Sequence, residues 1–166
     1  MNHLTFIWDQ SQNQRHQRKH WQELLYWIGL FFAALLLFTF NLDAPLLRGD
    51  ESIIAQVAKE MSQSSFSLGR WFEPTLWGEP FAQYPPLAIS LTAIAYLWGG
   101  VDEQMTRLPG AILAAFSVPL FYGLGREIFA RRISALFCAL IFLTLFPVVL
   151  QGRLAMLDGA LLCFEI

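Results

Sequence analysis

The side chains best suited to chemistry lie in two short stretches. Asp50 and Glu51 are adjacent carboxylates in "RGDESIIAQVAKEM", and Arg153 and Asp158 flank "LAML" in "GRLAMLDG". A carboxylate held at a fixed point can take a proton from a hydroxyl as a general base. Arginine offers a planar fork of donors that suits phosphate, and Arg48, Arg70, Arg107 and Arg153 supply such forks. Structural roles compete with these. Asp50 has the position of a helix N-cap, with Glu51 complementing the helix dipole, and Arg153 can simply pair with Asp158. A capping carboxylate is rigid, which helps a base. Bonds from backbone N–H groups favour its charged form and weaken it as one unless burial opposes them.

The elements that must hold these residues are membrane helices. The chain of 166 residues is 55% hydrophobic and 14% charged, against about 25% charged in a typical soluble domain. A net charge of −2 gives no case for nucleic acid as a partner. Cys138 and Cys163 both sit in apolar runs and read as small buried hydrophobes, not as metal ligands. No Gly-rich nucleotide loop is visible, and no metal or other cofactor is expected.

Leu24–Leu42 carries no charge. At helical rise it reaches roughly 28 Å, enough to cross the hydrocarbon core. Trp21, Tyr26 and Trp27 at its start suit a membrane interface. The run is longer than the apolar part of a cleavable signal peptide, so it reads as an uncleaved anchor. Leu108–Gly125 and Ile133–Gly152 are two further spans. Leu87–Gly100 is short for one.

Arg15, Arg18 and Lys19 precede the first span, and Arg126, Arg131 and Arg132 follow the second. The positive-inside rule assigns both clusters to the cytoplasm. That holds only if Leu87–Gly100 lies in or dips into the outer interface. The expected organisation is an all-α multi-pass transmembrane bundle in the cell inner membrane. Residues 1–21 form a cytoplasmic tail, 22–42 a span, 43–107 a large outer loop with amphipathic juxtamembrane helices, and 108–166 further spans. The sequence stops inside an apolar run, which reads as a truncated end. Asp50, Glu51, Arg153 and Asp158 all fall on the outer side.

Within the outer loop, Ile53, Ile54, Val57, Ala58 and Met61 recur at helical spacing, with Lys59 and Glu60 on the opposite face. Such a helix can lie on the membrane surface. The stretch "RWFEPTLWGEPFAQYPPLAIS" mixes Trp71, Phe72, Trp77, Phe81 and Tyr84 with four prolines. It reads as an ordered segment, either an interfacial belt or a platform for sugars or lipid chains.

In order and spacing, "RGDESIIAQVAKEM", "GEPFAQYPPLAIS", "RLPGAILAAFSVPLFYGLGREIFARR" and "GRLAMLDGALLCF" resemble the amino-terminal part of the GT-C membrane glycosyltransferases. The similarity is greatest to the protein O-mannosyltransferase-like group and the lipid A aminoarabinose transferases. The resemblance implies a polyprenyl-phosphate-linked sugar as donor and work on the outer, periplasmic face. It implies an acidic motif at Asp50 and Glu51 and a second aspartate, Asp158, after Arg153. Relatives carry Glu-Lys before Pro-Pro-Leu, where the lysine contacts the lipid phosphate. Gln83 and Tyr84 stand there in this chain, and Tyr84 carries no positive charge near neutral pH.

The expected reaction is glycosyl transfer with inversion to an acceptor hydroxyl on a protein, lipid or glycan. Asp50 is the expected base, with Glu51 positioning it or the acceptor. Arg48, Gln83, Tyr84, Arg153 and Asp158 are the expected substrate-binding residues. The competing readings are a non-catalytic transporter or scaffold and an inactive relative.

Overall fold

A four-residue spacing sets Leu30, Ala34 and Phe38 along one side of the first helix, with Leu42 just past its end, and all four are buried. They meet Ala111, Ala114, Ala115, Val118 and Tyr122 of the longest apolar helix, and Ala135, Ala139 and Phe142 of the next. Small residues at these positions let helix backbones approach closely, the packing mode of membrane bundles. The computed structural model describes residues 3–42, 49–63, 74–129, 131–154 and 157–165. Its helices are α1 His3–Thr39, α2 Asp50–Gln63, α3 Pro86–Gly99, α4 Glu103–Ile128, α5 Arg132–Thr144, α6 Phe146–Arg153 and α7 Leu157–Phe164. A hairpin of β1 Thr75–Leu76 and β2 Glu79–Pro80 separates α2 from α3.

The chain is an all-α membrane bundle. Trp21–Thr39 and Glu103–Ile128 are each long and apolar enough to cross a bilayer. Their outward sides carry exposed Leu25, Ile28, Phe32 and Leu36 on α1 and Phe116 and Leu124 on α4. α1 and α4 run antiparallel, with Glu23 near Tyr122 and Leu42 near Arg107. α1 extends well ahead of the apolar run and takes in residues read as a polar tail.

The third expected span is not one straight helix. α5 and α6 meet at a bend of 59°. Leu145 is extended between them, and Pro147 sits in the first turn of α6. Proline lacks an N–H and its ring crowds the carbonyl four residues back, so the apolar run breaks there. Pro109 and Pro119 sit inside α4, which continues through both.

α2 and α3 form a second layer. Ile54, Val57, Ala58 and Met61 of α2 pack on Ile89, Ala93 and Tyr96 of α3, with Phe81, Tyr84 and Met105 around them. The apolar face of α2 is therefore covered by protein, not laid on the membrane as its amphipathic pattern suggested. α3 presents Leu87, Ile94 and Trp98 outward, and Val101 after it is exposed as well. Cys138 and Cys163 are free and half-buried.

Candidate active site

Asp50 is the first residue of α2. Its side chain, those of residues 157–160 and all of Arg48 lie outside the described part of the structure. What fixes the start of α2 is visible. Gly49 has φ +45, a conformation open to glycine at little cost. Ser52 then donates to the Gly49 carbonyl from both Oγ, at 2.6 Å, and N, at 3.2 Å.

Glu51 is 1% exposed. Its carboxylate accepts from Arg107 Nε at 3.1 Å and from Arg107 Nη2 at 3.2 Å. Arg107 Nη1 donates to the Leu42 carbonyl at 2.9 Å, where α1 ends. A buried carboxylate is tolerable only when paired and hydrogen-bonded, and this fork meets both needs. One arginine thus ties together α1, α2 and α4. Both oxygens of Glu51, one residue after the start of α2, accept from Arg107.

Arg153 reaches the same end of the bundle. Its Nη2 donates to the Phe40 carbonyl at 2.6 Å, two residues from the carbonyl that Arg107 holds. The chain after it passes close to α4. A Cβ on Gly110, one turn beyond Arg107, would lie 3.3 Å from the Leu154 carbonyl oxygen. Asp158 begins the next stretch, in the first turn of α7. Arg153 and the start of α2 therefore lie where α1 ends and α4 begins.

A family model described as dolichyl-phosphate-mannose-protein mannosyltransferase matches residues 66–166. The chain belongs to that family. A curated relative is the undecaprenyl phosphate-alpha-4-amino-4-deoxy-L-arabinose arabinosyl transferase 2 of Proteus mirabilis (strain HI4320). It is 28% identical over 134 residues, and the match covers 81% of this chain and 23% of the relative. The chain thus spans about a quarter of that relative's length. No solved structure matches. The mannosyltransferase family match includes Gln83, Tyr84, Arg107, Arg153 and Asp158 and begins after Asp50 and Glu51.

Gln83 is exposed and Tyr84 half-buried. The Tyr84 ring lies edge-on to Phe81, centroids 5.6 Å apart, within the α2–α3 cluster. Its ring is thus a packing element, whatever its hydroxyl does.

Sequence reasoning missed two residues. Arg107 is one of the four outer-face cations in the sequence but is not among the expected substrate-binding residues. Its distinguishing signal is a charge at the mouth of a long apolar helix, where an ionisable residue needs a partner. Glu60 was assigned to the polar face of α2. Instead its carboxylate accepts from Gln56 Nε2 at 2.9 Å, Thr75 Oγ1 at 3.0 Å, Trp77 N at 2.8 Å and Gly78 N at 3.4 Å. Burial pushes the Glu60 carboxyl upward, but these donors outweigh it and hold the group below its ordinary value.

The turn that Glu60 grips has φ +53 at Trp77 and +83 at Gly78. Positive φ at both central residues is what a type I′ hairpin requires. For an L-residue such as Trp77 it costs roughly 1–2 kcal/mol. The Glu60 carboxylate, together with the Phe81 N to Pro74 carbonyl bond at 2.8 Å, offsets that cost.

Proposed function

We propose that these residues form part of the catalytic apparatus of a membrane glycosyltransferase. It moves a sugar from a polyprenyl-phosphate donor to an acceptor hydroxyl on the outer, periplasmic face of the membrane. Family membership supports the reaction class. The observation that carries the site is the buried Glu51–Arg107 pair, anchored on the Leu42 carbonyl. It fixes the first turn of α2, and so the backbone of Asp50, against both long helices.

Asp50 is the base. The acceptor hydroxyl gives its proton to the Asp50 carboxylate while its oxygen bonds to the anomeric carbon from the face opposite the lipid phosphate. The bond from that carbon to phosphate oxygen breaks, and the phosphate leaves with the electron pair. Configuration inverts. The leaving group already carries negative charge and needs fixed cations more than a proton. Arg48 and Arg153 serve it, while Gln83 and the Tyr84 hydroxyl contribute hydrogen bonds where relatives use a lysine. Asp158 orients Arg153 or the acceptor.

Sidedness rests on charge. Arg126 and Arg132 gather around Glu23 at the opposite end of the bundle from Arg107. Nineteen residues of α4 separate Arg107 from Arg126, roughly 28 Å at helical rise, which matches the hydrocarbon thickness. With the basic end in the cytoplasm, together with the amino terminus, Glu51 and Arg153 face outward.

The test uses the full-length protein. Asp50→Asn keeps membrane insertion and loses about 10²–10⁴-fold in transfer rate, the usual contribution of a general base. Transfer at the wild-type rate reduces Asp50 to a helix-capping residue.

A further inference from the structure

We infer that the cleft between α2 and the α3–α4 turn, together with the exposed Trp77 of the hairpin held on α2, forms a saccharide subsite. This rests on the glycosyltransferase reading and adds a ligand position that the reading leaves open. The cleft encloses about 300 Å³, within the size range of small-ligand sites. Ser52, Gln56 and Lys59 line it from α2, and Asp102 and Glu103 line it from the start of α4. Carboxylates, an amide, a hydroxyl and an ammonium are the groups that bind the many hydroxyls of a sugar.

The aromatic partner is two hydrogen bonds away, through Glu60. Gln56, which lines the cleft, donates to Glu60 Oε1, and the same oxygen accepts from Trp77 N. The Trp77 side chain is 78% exposed. It sits in a left-handed turn that most residues avoid, held there by the Glu60 carboxylate. Strain that surrounding structure goes to such lengths to maintain is characteristic of ligand clamps. An exposed indole face stacks well on the C–H face of a sugar ring.

A membrane anchor is the other use of an exposed tryptophan. The charges beside this one argue against it. Glu60 grips the turn, Glu79 stands in it, and Asp102 and Glu103 line the cleft. Among the described residues, Lys59 is the one cation lining the cleft. Two carboxylates to one cation in the described lining, with Glu60 and Glu79 at the turn, disfavour anionic headgroups and suit a neutral or amine-bearing sugar.

The track has direction. Ser52 stands two residues beyond Asp50, and Glu60 stands eight beyond Ser52. That run is roughly 12 Å at helical rise, the length of two linked sugar rings. A glycan lying along it has one end near Asp50 and the other on Trp77.

The experiment uses full-length protein in nanodiscs and two variants of different kind. Trp77→Ala removes the platform, and Ala55→Trp fills the cleft from the middle of α2. Saturation-transfer NMR with a panel of methyl glycosides (mannose, glucose, galactose, arabinose, N-acetylglucosamine) reads binding without turnover. At least one glycoside saturates on wild type, and its signal falls at least fivefold in both variants. In transfer assays, a tenfold rise in acceptor KM assigns the cleft to an acceptor glycan. The same rise in donor KM assigns it to the donor sugar. The inference is overturned if no glycoside saturates on wild type, or if both variants bind and turn over normally. It is equally overturned if brominated lipids quench the emission that Trp77→Ala removes. Saccharide binding without transferase activity in wild type would sink the proposed function and leave the subsite standing.

Discussion

Arg107 grips Glu51 with two nitrogens across 56 residues of sequence, with side chains 7% and 1% exposed. A buried ion pair is weak evidence for stability, because desolvation offsets the attraction. Breaking one from one side is another matter. Arg107→Met leaves a buried carboxylate unpaired and is expected to cost about 3–5 kcal/mol. The double variant Arg107→Met with Glu51→Met should recover most of that, since apolar replacements of similar volume are well tolerated. Thermal unfolding in detergent measures both. Sugar transfer should stay low in the double variant even where stability returns. If activity returns with stability, the pair only holds the fold and has no hand in positioning Asp50.

The opposite end of the bundle has its own clasp. Glu23 accepts from Arg132 Nε at 2.7 Å, pairs with Arg126 Nη2 at 3.2 Å and accepts from the Tyr122 hydroxyl at 2.7 Å. Tyr122 is fully buried. Glu23→Ala strands that hydroxyl, at a cost of about 1–3 kcal/mol, and also releases both arginines. Tyr122→Phe with Glu23→Ala should be less damaging than Glu23→Ala alone. Equal melting temperatures for the single and double variants would show that water replaces the lost acceptor.

Most of the membrane architecture was legible because it follows from one-dimensional signals. Uncharged runs gave the long helices, and the buried face of α2 followed the spacing of Ile54, Val57, Ala58 and Met61. The bend at Leu145 was not read, although Pro147 stood in the run as its cause. The candidate site was legible as a set of residue types but not as a set of partners. Glu51 finds Arg107 and Glu60 finds Trp77 only when distant segments close. Arg107 stands at the mouth of a long apolar helix and so needs a partner, but nothing local names Glu51 as that partner or the Trp77 turn as that of Glu60. A Trp-Gly turn also lacks the Asn-Gly or Asp-Gly signature that announces a hairpin.

α4 and α5 touch at Gly125. A Cβ there would lie 3.3 Å from both the Cα and Cβ of Ala135. That is tight for a methyl group and impossible for anything larger without movement. Gly125→Ala should lower the melting temperature slightly as the helices give way, and Gly125→Leu should cost about 1–3 kcal/mol through overpacking. Gly29 on α1 has open space around it, so Gly29→Leu is the control and should keep the wild-type melting temperature. Equal losses at the two positions would mean that side-chain bulk anywhere in the apolar helices is harmful, independent of this crossing.

The Glu60 clasp predicts a pH dependence of known sign. Its carboxyl lies below the ordinary 4.5 because burial, which raises it, is outweighed by donors from Gln56, Trp77, Thr75 and Gly78. A carboxyl lowered in the folded state stabilises the fold at every pH above its unfolded value, and that contribution fades as pH falls through the folded one. The hairpin should therefore be firmly held above about pH 4.5 and loosen below it. Amide exchange at Trp77 and Gly78, expressed as protection factors, is the direct measurement. Protection should be constant between pH 5 and 7 and drop below pH 4, while helix amides of α2 and α3 keep theirs. In Glu60→Gln the protection should be low at all pH values and the acid step absent. A wild-type hairpin whose protection rises on acidification would contradict the carboxylate as the group that holds this turn.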